Sequence, residues 1–204
     1  MKEVVINIAE EDMVFLKKNN YALCAAFRER DMGYSVICCT SMGYLSQNTI
    51  NVGEGLCVFY CKNIKIGEKV EVSAGPCGIE PGQRVTVDEY GSLKNVEPGS
   101  VEGKIEIINN YGSIYPGFYR NLSFLGVQSE LPAFVSPYAS VKGEFTLEPE
   151  ERMVIWFEQF AESGRIIGSA FENILKAGKS VSIEVMLSDT STQVSYENQM
   201  WKKI

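Results

Sequence analysis

Apolar residues in this chain recur at every second position almost from end to end, and turn formers interrupt them at short intervals. A period of two puts successive side chains on opposite faces of a strand, whereas a helix needs one near 3.6. The pattern predicts strands near residues 4–8, 14–17, 21–27, 34–40, 56–62, 68–73 and 84–88. It resumes at 101–108, 113–118, 141–147, 153–160, 165–171, 180–187 and 192–196. Asp31-Met32-Gly33, Pro81-Gly82, Glu97-Pro98-Gly99 and Tyr115-Pro116-Gly117 read as turns, and so do Gly53-Glu54-Gly55 and Gly75-Pro76-Cys77-Gly78. Only 158–164 and 170–177 have any helical character. Many short strands separated by turns specify an all-β fold of sandwich type.

The two halves of the chain resemble each other. Residues 58–87 lie without gaps on residues 154–183, with Tyr60 on Trp156, Ser73-Ala74 on Ser169-Ala170, Ile79 on Leu175, Gly82 on Gly178 and Val85 on Val181. Upstream, after one shift, Asn20-Tyr21 falls on Asn110-Tyr111. The expected architecture is two tandem β-sandwich-like units, residues 1–92 and 101–204, joined by a short link at 93–100.

Met153-Val154-Ile155-Trp156-Phe157-Glu158-Gln159, the preceding run from Asn109 to Gly117, and the end from Tyr196 to Trp201 carry a resemblance. On these residues the chain resembles a group of uncharacterised two-repeat all-β proteins of fungi and bacteria. The resemblance implies a β architecture; it implies no activity and transfers no functional residue.

Composition narrows the chemistry. The chain has no histidine, which removes Ser-His-Asp and Cys-His nucleophilic sites, histidine zinc sites and the facial iron triad. A net charge of -7 argues against nucleic acid as a partner, because phosphate binding needs a basic stripe. Of six cysteines, none stands in a CxxC pair, and five lie in apolar runs. They read as buried thiols in a reducing compartment, and with no leader at the N-terminus the expected location is cytoplasmic. No phosphate loop, calcium loop or other cofactor motif is present, so no cofactor or metal is expected.

Two clusters remain for function. Tyr111, Tyr115, Phe118 and Tyr119 surround Pro116-Gly117, and aromatic faces on a rigid turn can stack on sugar rings. With Asn110 and Arg120 as hydrogen-bonding partners, Asn110, Tyr111, Tyr115, Tyr119 and Arg120 make the expected ligand site, and carbohydrate the expected ligand. Trp156 and Glu158 fall on one strand face, where tryptophan can shield a carboxylate as a glycosidase acid requires. Core packing is the simpler reading of that pair. The expectation is a non-enzymatic, lectin-like binding protein, with a self-assembling structural protein and a membrane-active β protein (through residues 187–196) as alternatives. Lys202 and Lys203 follow Trp201, which is expected to close the hydrophobic end of the second unit.

Overall fold

The computed structural model describes residues 1–129, 131–168, 171, 175, 178, 181–187 and 191–204. Among these residues seventeen strands and one helix have defined bounds, and Phe171 and Leu175 are also helical. In chain order they are β1 (Lys2–Ile8), α1 (Glu10–Lys18), β2 (Tyr21–Glu29), β3 (Gly33–Tyr34), β4 (Cys39–Ser41), β5 (Gln47–Cys61), β6 (Ala74–Ile79), β7 (Gln83–Val87) and β8 (Leu93–Pro98). Then follow β9 (Ile105–Asn109), β10 (Tyr115–Phe124), β11 (Val127–Ser129), β12 (Pro132–Val135), β13 (Gly143–Leu147), β14 (Pro149–Gln159), β15 (Ser182–Met186), β16 (Thr192–Glu197) and β17 (Met200–Lys203). The all-β class read from the alternation is the class observed.

The strands form three sheets. The largest runs β11-β10-β5-β1-β16-β17, with β12 also on β10 and β6 also on β5; a second runs β13-β9-β7-β8; the third runs β15-β14-β2-β3, with β4 also on β2. Each sheet takes strands from both halves of the chain. The N-terminal strand β1 lies parallel to β16 and antiparallel to β5, which leaves Val4, Ile6 and Ile8 buried. Likewise β2 runs antiparallel to β14, with Cys24 opposite Trp156. Residues 93–98, expected to link two units, instead form β8 along β7. Of the segments aligned in sequence, the first carries its final strand β7 away to β8 and β9, and the second returns β15 onto β14.

Several strands are covered on both sides. Leu23, Ala25 and Phe27 of β2 enter the main core with Met153 and Ile155 of β14, while Ala22, Cys24 and Ala26 meet Val154, Trp156 and Phe171 on the opposite face. At the end of β5, Val58 and Tyr60 face the main core, and Phe59 and Cys61 pack with Val36, Val135 and Ile166. Strands buried on both faces need apolar residues at consecutive positions, which accounts for runs such as Tyr21 to Phe27.

Four segments depart from the sequence reading, and the described residues of one of them, 165–171, expected as strand, make only isolated bridges, Arg165 with Lys69 and Ile166 with Val36. Residues 14–17, expected as strand, belong to α1: Glu10, Glu11 and Asp12 fill its first turn and Lys17 and Lys18 its last, both favourable to the helix dipole. Its inward positions are Asp12 and Leu16, one turn apart. Residues 158–164 are not helical; Glu158 and Gln159 end β14 and a turn follows. Residues 68–73 lie outside any strand, and the strand begins at Ala74. The other helical expectation, 170–177, falls mostly outside the described residues, as do residues 188–190 of the segment considered for membrane activity. Residues 192–196 of that segment lie in β16 beside β1.

Glycines expected in turns sit inside strands. Gly53 and Gly55 belong to β5, where a Cβ would lie 2.9 Å from Asn121 Cβ and 2.7 Å from Asn121 Nδ2. Asn121 occupies the register shift between β10 and β5, so the two glycines make room for a bulge in the partner strand. Gly117 is likewise in β10, where a Cβ would lie 2.4 Å from both Phe134 O and the Phe59 ring. The Tyr115-Pro116-Gly117 segment is therefore strand, not turn.

All six cysteines carry thiols rather than disulfides; Cys24, Cys38, Cys39 and Cys61 are buried, and Cys57 and Cys77 half-buried. Burial pushes the Cys61 thiol up to about 11. No helix among the described residues is long and apolar enough to cross a membrane.

Candidate functional site

The strand geometry of β10 divides the residues expected to form one ligand surface. Tyr115 and Tyr119, four positions apart, share a face and pack against the cluster of Val36, Phe59, Cys61, Val135 and Ile166. The Tyr119 ring lies 4.8 Å from that of Phe59. Arg120, the next residue, points to the opposite face and is buried. Its guanidinium donates to Glu151 Oε2 at 3.2 Å, to Glu151 Oε1 at 3.0 Å and to the Glu150 carbonyl at 3.3 Å, with the group 5.1 Å from the Phe27 ring centre. Burial pushes the Glu151 carboxyl up, but Arg120 and Lys2 outweigh it and hold the group below its usual range.

Tyr111 and Asn110 belong to the loop between β9 and β10. Asn109, buried at the end of β9, organises that loop. Its Nδ2 donates to the Gly112, Ser140 and Val141 carbonyls, and its Oδ1 accepts from the Tyr111 and Gly112 N–H groups. Tyr111 packs 6.2 Å from Tyr60, with Lys62 Nζ 5.2 Å above its ring. Asn110 is exposed, its N–H bonded to the Val87 carbonyl. The structure thus brings Tyr115 and Tyr119 together, places Tyr111 with Tyr60 and Lys62, and commits Arg120 to Glu151.

Trp156 and Glu158 do share a face. Trp156 Nε1 donates to Glu158 Oε2 at 3.0 Å, and Arg165 bonds the other oxygen. Both carboxylate oxygens therefore have partners within the chain. A pocket of about 300 Å³ adjoins this pair, walled by Ile37, Ile66, Ile166, Ile167 and Phe171. Among the described residues, no group of three or more Cys, Asp or Glu is placed to hold a metal ion.

A larger cleft, of about 900 Å³, opens between β15 and β17. Its apolar lining is Met200 and Leu175 together with the buried Ile183 and Trp201, and Arg28, Ser182, Glu184, Lys202 and Lys203 bring polar groups to it. Trp201 is fully buried; it stacks on Phe157 at 5.3 Å and packs against Tyr196 at 4.9 Å. Glu184 is held by Arg28 at 3.5 Å and by the Tyr34 hydroxyl at 2.7 Å. Burial first, and the Glu184 hydrogen bond second, raise the Tyr34 phenol, so it acts as a donor. Lys202 pairs with Glu197 at 3.3 Å, and Lys203 has no carboxylate partner among the described residues. Arg28 also ties the cleft to an ionic cluster, since Arg28, Arg30 and Arg152 approach the Glu150 carboxylate at 3.4, 3.4 and 3.6 Å.

Compared with family models, curated proteins and solved structures, the chain matches none. The cleft was missed in the sequence because its walls come from residues near 28, 183 and 202. Their one local signal was a pair of lysines after a tryptophan.

Proposed function

We propose that this protein is a non-enzymatic, lectin-like binding protein whose ligand occupies the cleft between β15 and β17, and that the ligand is an acidic saccharide. The observation that carries the reading is the convergence of Arg28, Lys202 and Lys203 on one cleft of a chain whose net charge is -7. Glu184 is engaged by Arg28 and Tyr34 and Lys202 by Glu197, which leaves Lys203 as the positive group without a carboxylate partner among the described residues to face an incoming anion. The volume lies in the range of small-ligand sites, and a wall of apolar side chains with a few polar groups suits a sugar ring bearing a carboxylate or sulfate. This reading keeps the carbohydrate class suggested by the aromatic segment and moves the site away from residues 110–120, where Arg120 is spent on Glu151.

The test is an array of carboxylated, sulfated and neutral glycans, followed by calorimetry on the best binder. Saturable binding of acidic glycans, weakened at least about tenfold by Lys203→Glu, is expected. Binding that Lys203→Glu leaves unchanged, or no glycan bound, overturns the reading.

We also infer that residues 58–87 and 154–183 descend from one duplicated β unit. The ungapped sequence register supports this, as does the burial of Tyr60 and Trp156 at corresponding positions.

A further inference from the structure

Helix α1 hides a polar residue and displays apolar ones. Asp12 is turned inward, where its Oδ1 accepts the Gln199 N–H at 3.3 Å, while Val14 and Phe15 are 61% and 49% exposed. The same outward surface carries Glu10 and Glu11 at one end and Lys17 and Lys18 at the other, all exposed. None of these four charges forms a salt bridge among the described residues; Lys17 lies over the Tyr44 ring at 5.4 Å. An acidic end, an apolar middle and a basic end, with no ion pair to any of the four charges among the described residues, make a surface complementary to its own reverse.

We propose that α1 docks antiparallel on α1 of a second copy, about a twofold axis passing near Val14 and Phe15. In a twofold contact each patch meets its own counterpart, so the surface must be self-complementary. Glu10 and Glu11 precede Lys17 and Lys18 by two helical turns, roughly 10 Å at 1.5 Å per residue. Reversing one helix over the other sets the acids of each copy against the lysines of its partner and joins the two Val14–Phe15 pairs.

The apolar surface continues past the helix. Asn19 Nδ2 donates to the Phe15 carbonyl at 2.8 Å, and Gln159 Nε2 donates to the Asn19 carbonyl at 2.7 Å. The next residue, Phe160, is 82% exposed and held at a φ of 57°, a conformation bulky side chains rarely adopt. Leu45, also exposed, follows Tyr44, whose ring lies under Lys17. An anionic bilayer fits less well, because Glu10 and Glu11 would face its phosphates and the chain is acidic as a whole.

Sedimentation equilibrium on the full chain tests the proposal, with two charge-reversed variants, E10K/E11K and K17E/K18E. The wild type is expected to dimerise, and each variant alone to dissociate at least about tenfold more readily, since like charges then meet at both ends. An equimolar mixture of the two variants is expected to recover the dimer, because every reversed end finds its opposite. Loss of folding cannot produce that recovery. Phe15→Ser, which leaves the charges intact, is expected to weaken the dimer as well, and it serves as the test if either reversed variant fails to fold. A monomeric wild type overturns the proposal, and so does a dimer indifferent to charge reversal or to Phe15→Ser. Variants that stay monomeric when mixed refute the antiparallel geometry.

Discussion

Replacing Arg120 with alanine separates a structural arginine from a ligand-binding one. The side chain is 5% exposed and makes two hydrogen bonds to the Glu151 carboxylate, one to the Glu150 carbonyl, and a contact with the Phe27 ring. Removing one member of a fully buried ion pair costs about 3–5 kcal/mol, but the Glu151 side chain is 42% exposed and keeps Lys2 at 3.0 Å. The two bonds to that half-solvated carboxylate belong at the low end for charged hydrogen bonds, about 1.5 kcal/mol each. Loss of the guanidinium from the face of Phe27 adds about 1 kcal/mol, and the retained Lys2 contact offsets a similar amount. The expected loss is about 3 kcal/mol, a fall in Tm of roughly 6–12 °C for a chain of this size. Urea denaturation of the wild type, Arg120→Ala, Glu151→Ala and the double variant measures the loss and the coupling, expected near 1–2 kcal/mol. A loss below about 1 kcal/mol, or a variant of unchanged stability that no longer binds glycan, would refute the structural role and return Arg120 to the ligand site.

Acid should abolish this coupling. The Glu151 carboxyl titrates below its unfolded value, so its contribution is fully present above the usual glutamate range, near pH 4.3, and fades as pH falls through the folded value. The stability gap between wild type and Arg120→Ala should narrow over that window; a gap that widens contradicts the assignment. Gly117→Ala should cost about 3 kcal/mol or more, because the added methyl meets the Phe134 carbonyl and the Phe59 ring at 2.4 Å, and an equilibrium melt near that of the wild type would show the approach to be looser. Glu29→Gln should lower stability by about 1–3 kcal/mol. The buried Glu29 carboxylate accepts the Asp31, Met32 and Glu148 N–H groups, and an amide must turn its own NH₂ toward one of these donors. A native titration with a thiol reagent should find Cys57 and Cys77 quickly and the other four only on unfolding, whereas rapid reaction of all six would contradict the burial.

Much of the candidate site was illegible in the sequence for a reason visible in β10. Tyr119 and Arg120 are neighbours in the chain, so composition joined them into one polar-aromatic surface; in a strand, neighbours face opposite ways, and the two ended in different environments. Trp156 and Glu158 were correctly placed on one face because that inference needed only the period of two. Glycine misled in the other direction. Gly53, Gly55 and Gly117 were read as turns from their freedom of backbone, when their function is to lack a side chain where Asn121 or Phe59 comes close.

The amino-acid sequence by itself determined the all-β class, most of the strands and the largely apolar environment of the cysteines and Trp156, since alternation and hydrophobicity act between residues a few positions apart. It underdetermined α1, where nine residues with a short apolar run suit either element until Asp12 meets Gln199 and Leu16 meets the core. Only the tertiary structure decided that β1 lies beside β16, that Arg28 reaches Glu184 and that Arg120 reaches Glu151. Such pairings depend on which strands become neighbours, and that choice minimises exposed apolar surface over the whole chain, leaving no mark in any local stretch of it.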